Sequence, residues 1–215
     1  EAALGLIPLG TGNDFAKAVN LPMQWRAACD LVVGRIGERP RRIDAARCND
    51  FYFANGLGIG LDACVTAASE GLKWLPGSLS YVAALVQVMA QGIPRTQARI
   101  VHDGQVLEQE ISLAVACNGQ YIGGVFHIAP RAVNDDGLLQ LVVAEGISRR
   151  QVLTLAPKVI RGTHEGVPEA TFIDGRHFII ETELPMIVEA DGEVRYRDAR
   201  RIEIQVLPGA LGVLA

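Results

Sequence analysis

The chain reads as an α+β protein, mostly β, with a C-terminal antiparallel β-sandwich that has inserted helices, preceded by a remnant of an α/β domain. Three observations predict this. Residues 1–38 alternate an apolar strand-like run, a glycine turn and two helical stretches. From Arg39 onward the text changes to short runs rich in Val, Ile, Phe and Tyr, separated by Gly, Asp, Asn and Pro, which is the pattern of strands and turns. With 49% hydrophobic and 20% charged residues, the 215-residue chain has enough apolar surface for one large domain, or one domain plus a remnant, and is no disordered tail.

The first strand, Leu4 to Leu9, runs into Gly10-Thr11-Gly12-Asn13-Asp14-Phe15-Ala16, a glycine turn that opens a helix. Two glycines let the backbone approach a ligand, Thr11 offers a hydroxyl, and Asn13 or Asp14 can cap the helix. Such a corner suits phosphate or nucleotide contact, and in many α/β proteins it only closes a loop. A second helix is expected from about Gln24 to Val33. The boundary is drawn between residues 1–38 and 39–215, with the last strand free to return toward the first unit.

Candidate strands in the second unit are Arg41 to Ala46, Phe51 to Ile59, Gln97 to Val101, Gln105 to Asn118, Leu138 to Ala144, Thr171 to Glu181, Met186 to Ala190 and Arg201 to Leu207. His102-Asp103-Gly104 joins the third and fourth as a hairpin. Two helices interrupt them. Leu79 to Ala90 repeats its apolar residues at helical spacing, and Ser148 to Ile160 opens with Ser148 as N-cap.

The formal net charge of −4 argues against a general nucleic-acid binder. Cys29, Cys48, Cys64 and Cys117 form no Cys-x-x-Cys pair, and the four histidines have no zinc-site spacing, so free thiols in a reducing cytosol are expected. Apolar runs stop well short of the ~20 residues of a membrane span, which makes any membrane contact peripheral.

The wording of several segments goes further. PLGTGNDFAKAVNLP resembles the glycine corner of the diacylglycerol-kinase-like lipid kinases, a family that includes sphingosine kinases and bacterial lipid kinases. IDAARCNDFYFANGLGIGLDAC, NGQYIGGVFHIAPRAVNDDGLLQLVVAE and Asp191-Gly192-Glu193 follow in the family's order. The family's Gly-Gly-Asp-Gly-Thr loop does not occur in these 215 residues. They are therefore expected to be the C-terminal part of such a kinase, with little or no activity alone.

The resemblance implies roles for particular residues. On the nucleotide side it points to Gly10, Thr11, Asn13 and Asp14, and to Asp44 as a link between nucleotide, Mg²⁺ and water. The family often has Gly where this chain has Ala46, which weakens the carry-over to Asp44, whose other reading is a strand-end turn or a partner for Arg47. Glu193 matches the family's proposed general base, with Asp191 orienting it; the alternative is a surface Asp-Gly turn. Asp136, with the carbonyls of Val133 and Leu138, matches a structural Mg²⁺ site of some bacterial members, and a plain loop of solvated acids is an equal reading. The glycine-rich run Asn55 to Gly60 reads as close packing of strand against helix.

The expected activity is ATP- and Mg²⁺-dependent transfer of the γ-phosphoryl group to the hydroxyl of a membrane lipid, with diacylglycerol the model acceptor. Alternatives are a sphingoid base, a soluble polyol as in the related NAD kinases, or a non-catalytic lipid-binding module. A cytoplasmic, peripherally membrane-associated enzyme is implied, and a homodimer is compatible with it. Leu72 to Gly77, with the helix behind it, is the candidate acyl-chain entrance, against ordinary core packing. Arg149, Arg150, Arg195, Arg197, Arg200 and Arg201 either face anionic headgroups or form a solvated rim.

Overall fold

The computed structural model describes residues 2–72, 74–75 and 79–215. Lys73, Pro76 and Gly77 of the expected acyl-chain entrance lie outside the described residues. In chain order the elements are β1 (Leu4–Gly5), α1 (Asp14–Ala18), α2 (Trp25–Gly34), β2 (Arg41–Cys48), β3 (Phe51–Phe53), β4 (Gly56–Gly60), α3 (Leu61–Ser69) with a 3-10 turn at Glu70–Leu72, and α4 (Leu79–Gln91). Then come β5 (Thr96–His102), β6 (Gln105–Cys117), β7 (Leu139–Glu145), α5 (Arg149–Ile160), β8 (Ala170–Gly175), β9 (His177–Ala190) and β10 (Glu193–Leu214).

The strands follow the order β3-β2-β10-β9-β4-β6-β7-β8, and β5 bridges β6 and β9. Long strands serve two neighbours in succession. The first half of β6 pairs with β5 and the second half with β4, while β9 meets the same two strands from the other side. The sheet thereby curls onto itself into the expected sandwich. Its interior holds Leu57, Ile100, Ile111, Leu139, Leu141, Phe178, Ile180, Val188, Ile202 and Ile204. These residues alternate inward along their strands, as one buried face requires.

Pro208-Gly209 does not end the last strand. The ladder with β2 shifts between Leu207 and Leu211, and Gly209 takes φ 57°, so a bulge absorbs the proline and β10 continues to Leu214. Its end pairs in parallel with β1, Leu4 opposite Val213. A second apolar cluster of Ala16, Val19, Leu21, Ile43 and Val213 fastens α1 to β2 and β10.

At the other side α3, α4 and α5 pack over the outer face of β6 and β7 through Leu61, Val65, Ala84, Val88, Ile147 and Val152. The predicted Ser148 cap is present as a full capping box with Gln151. Helix α3 is not foreseen by the sequence. Its start, Gly60, has φ 81° and no side-chain cap, and its body, LDACVTAAS, is rich in small and β-branched residues. Packing against α4 and the sheet, rather than intrinsic propensity, holds it.

Candidate active site

A cleft of about 310 Å³ opens where the glycine corner faces one end of the sandwich. Gly12, Asn13 and Asp14 form one wall; Asn55, Gly56, Asp62, Glu189, Asp191 and Gly192 form the other, with Tyr81 and Ile122 between them. At the corner Asn13 sits at φ 52° and does not cap α1 with its side chain. Its amide instead clamps the turn, accepting from Gly10 N and donating to Gly10 O, each at 2.9 Å. Asp14 reaches across the gap: Oδ2 accepts from Gly124 N at 2.8 Å and Oδ1 from Lys17 Nζ at 3.0 Å. Lys17 Nζ also donates to Gly124 O at 2.6 Å. Gly10 and Thr11 are exposed and do not line the cleft.

Asp191-Gly192 is the tight turn of the β9–β10 hairpin. Both residues have positive φ, 50° and 84°, and Ala190 pairs directly with Glu193, the geometry of a two-residue turn whose twist matches the strands. The Asp191 carboxylate accepts three backbone N–H groups, from Ala54 at 2.8 Å, Asn55 at 2.9 Å and Gly56 at 3.0 Å. These bonds break the expected Phe51–Ile59 strand into β3 and β4 and fix the cleft wall. Glu193 lies just past the turn, outside the residues lining the cleft, with its side chain 71% exposed and paired with Arg195 at 3.1 Å.

Asp44 is buried away from the cleft. Its carboxylate accepts from Gly137 N at 2.7 Å and Gly209 N at 2.8 Å, and its own N–H donates to Asn134 O. It ties the loop at 134–137 to the β10 bulge. In that loop Asp136 is exposed, and its Oδ1 accepts from Leu138 N at 2.9 Å. Val133 is 47% exposed. Among the described residues no group of three or more His, Cys, Asp or Glu gathers as a metal cage.

The structure adds an acid pair that the sequence did not single out. Glu189, 4% exposed, lies directly opposite Gly58 in the β4–β9 ladder, and Asp62 enters from the first turn of α3. A Cβ on Gly58 would stand 1.9 Å from Asp62 Oδ2 and 3.0 Å from Glu189 Oε1, so only glycine leaves room for the two carboxyls. Burial, then the Asp62 charge and the bond to it, push the Glu189 carboxyl well above its usual range, while Gly192 N at 2.9 Å partly opposes this. Burial raises Asp62 to about 6, with the bond from Glu189 acting the other way and Asp14 adding to the rise. Both carboxyls therefore favour the protonated form more than a free acid does. Burial is also the main cause of the raised Tyr81 hydroxyl, with the charges of Glu189, Asp14 and Asp62 adding to it. The sequence held one clue: Gly56, Gly58 and Gly60, two apart, strip one strand face of side chains, and something must cover it.

Beyond this pair lies an apolar cavity of about 120 Å³ between α3, α5 and the outer sheet face, lined by Leu61, Val65, Leu113, Val142, Val152 and Leu155 among others. Asp62 and Ile122 line both hollows, so the polar cleft and the apolar cavity adjoin beside the acid pair. Apolar cavities of this order accept apolar groups without water.

Comparison with known proteins agrees with this layout. The profile of the YegS C-terminal NAD kinase beta sandwich-like domain matches residues 56–215, and that of the diacylglycerol kinase catalytic domain matches residues 1–48. A diacylglycerol kinase of Mycobacterium tuberculosis (strain H37Rv) is 32% identical over 222 residues, covering 100% of this chain and 69% of that protein. One of Bacillus subtilis (strain 168) is 28% identical over 192 residues, covering 88% of this chain and 62% of that protein. A crystal structure of a diacylglycerol kinase from Bacillus anthracis superposes with a TM-score of 0.72 at 23% identity, over 100% of this chain and 67% of the other, and supports the fold. With both profiles in sequence order and a cleft formed where the two matched segments meet, the chain belongs to the YegS-type diacylglycerol kinase family of lipid kinases.

Proposed function

We propose that this chain supplies the acceptor-binding half and part of the nucleotide-facing wall of an ATP- and Mg²⁺-dependent kinase that transfers a γ-phosphoryl group to the hydroxyl of a diacylglycerol-like lipid. One observation carries the reading: a cleft walled by Asp14 and the Asp191 turn adjoins an apolar cavity, with Asp62 and Ile122 lining both. Phosphoryl transfer needs phosphates held by donors and Mg²⁺, a proton acceptor for the attacking hydroxyl, and restricted water. The chamber would take the acyl portion, which favours a lipid over a soluble polyol, while the polar end of the lipid faces the cleft. Asp14, held by Lys17 and Gly124, would face the nucleotide. Asp136, with the carbonyls of Val133 and Leu138, would hold a Mg²⁺ that stiffens the loop bearing on Asp44, away from the reacting atoms.

Two measurements test the reading. Residues 1–215 alone should show little ATP-dependent phosphorylation of diacylglycerol in mixed micelles, because they lack the Gly-Gly-Asp-Gly-Thr loop; turnover comparable with that of the full-length gene product would refute this.

In the full-length product, Glu193→Gln should lower kcat on the order of 10²-fold with ATP affinity retained, as expected for removal of a general base. Near-normal turnover would take Glu193 out of the mechanism, in keeping with its exposed position, and leave Asp14 as the cleft carboxylate to examine next. A labelled product found only in the aqueous phase after lipid extraction would replace the lipid acceptor with a soluble one.

A further inference from the structure

We propose that the apolar cavity selects a hydroxylated hydrocarbon chain, with His164 as the residue that reads the chain's own hydroxyl. The proposal rests on the lipid-kinase reading for the use of the cavity as an acyl site, and adds to it what kind of chain is taken. His164 follows α5, is 2% exposed and lines the cavity. Its Nε2 lies 2.9 Å from Ile128 O. A carbonyl oxygen only accepts, so Nε2 carries the ring proton and Nδ1 is left as a bare acceptor. Nδ1 is buried and has no hydrogen-bond partner among the described residues. Burial lowers the pKa of His164, with the Ile128 bond acting the other way, so the ring is neutral at neutral pH and Nδ1 keeps its lone pair. Phe126, Ile128, Val159 and Val167, which line the same cavity, have no side-chain donor to offer it. A buried acceptor without a partner is unfavourable, and a hydroxyl brought in by a ligand removes that deficit.

Sheet register gives the distance at which the chain carries that hydroxyl. Glu189, Gly58, Val115, Val142 and Phe172 stand opposite one another in β9, β4, β6, β7 and β8, and directly opposed residues share a face. The acid pair stands over Gly58, and the His164 ring meets Phe172 with centroids 5.3 Å apart. Gly58 and Phe172 are three strand spacings apart, about 14 Å. Val142, between them, lines the cavity. A plain saturated chain lying along this row would present only methylenes to Nδ1. A chain with one hydroxyl at the acid pair and a second about 14 Å away would meet an acceptor at both ends.

The test is calorimetric titration of the full-length gene product, without ATP, with decanol and with the decanediol that carries a hydroxyl at each end. In the wild type the diol should bind at least as tightly as the alcohol. His164→Phe should weaken the diol on the order of tenfold and leave decanol within about twofold, as expected for loss of one hydrogen-bond partner. His164→Gln, whose amide can donate to Ile128 O and still offer an oxygen, should keep most of the diol's affinity. If the phenylalanine variant loses its native thermal transition, ¹⁵N NMR of the wild type decides: the His164 Nδ1 resonance should move upfield with the diol and stay in place with decanol. Binding of neither probe, an equal loss of both or of neither in His164→Phe, or an unmoved Nδ1 resonance overturns the proposal. A wild-type diol affinity below that of decanol overturns it in favour of a cavity that rejects the second hydroxyl or holds a water on Nδ1. Neither probe needs turnover, so the two readings fail separately. Phosphorylation of diacylglycerol without any preference for the diol removes the His164 assignment alone, and diol binding through His164 in a product that phosphorylates no lipid removes the kinase reading alone.

Discussion

Asp191→Ala is expected to lower the unfolding free energy by about 5 kcal/mol, since it deletes a carboxylate that accepts three backbone N–H bonds, and bonds to charged groups contribute roughly 1.5–3 kcal/mol each. Stabilities of whole domains lie near 5–15 kcal/mol, so the variant should be barely folded or unfolded at room temperature. The amides of Ala54, Asn55 and Gly56 would lose their acceptor together. Their segment is also joined to the next layer, because Asn55 O accepts from Asn118 N and Gly119 N, both at 2.9 Å. Alanine is moreover a poor occupant of φ 50°, which asparagine tolerates. Asp191→Asn keeps one acceptor oxygen and the backbone preference, and should lose about half as much. Urea unfolding of the three proteins decides it: an alanine variant within about 1 kcal/mol of the parent would show that these bonds do not hold the cleft wall.

The second large effect concerns the buried acids. Glu189→Gln should raise stability at neutral pH, since burial and the Asp62 charge hold the Glu189 carboxyl well above its ordinary range and glutamine has no proton that the unfolded chain would release. The sign follows from proton counts. Both folded-state values lie above the unfolded ones, so through the window that ends near pH 6 for Asp62 and well above the ordinary carboxylate range for Glu189 the native protein holds more protons than the unfolded chain, and stability falls as pH rises through it. Below it both states are protonated and the penalty vanishes. Glutamine keeps an acceptor for Gly192 N and gives Asp62 a permanent N–H donor, without a proton to lose. The groups facing the pair are Asp14 on α1, Tyr81 on α4 and Asp191 with Gly192 N in the turn, and the acids among them add to the penalty. Thermal melts from pH 4 to 8 should show parent and variant converging at the acid end. Parallel curves across the range would mean that the pair carries no such strain.

Several parts of the molecule were legible from residues alone. The β5–β6 hairpin, the capped α5, the uncharged α4 and the strands β2 and β7 are local patterns, and each formed within a residue or two of where the pattern places it, whereas the expected strands Thr171–Glu181 and Met186–Ala190 are re-cut at Arg176 into β8 and a continuous β9. The α3 helix was not legible, since its small, β-branched sequence after three glycines has no local signature and gains its stability from neighbours. The continuous β10 was hidden by Pro208-Gly209, which in isolation signals a stop and in the sheet is a bulge.

The sequence by itself determined the family, through motifs whose order survives without any fold, and the strand-and-turn character of residues beyond Arg39. Only the tertiary structure decided which acids face one another. It paired Asp62 with Glu189, gave Asp191 to the backbone of residues 54–56, sank Asp44 beneath the 134–137 loop and left Glu193 in solvent. The reason is physical: a carboxylate's role is set by the donors, charges and water around it, and here those surroundings come from strands and turns far apart in the chain, which sequence spacing does not encode.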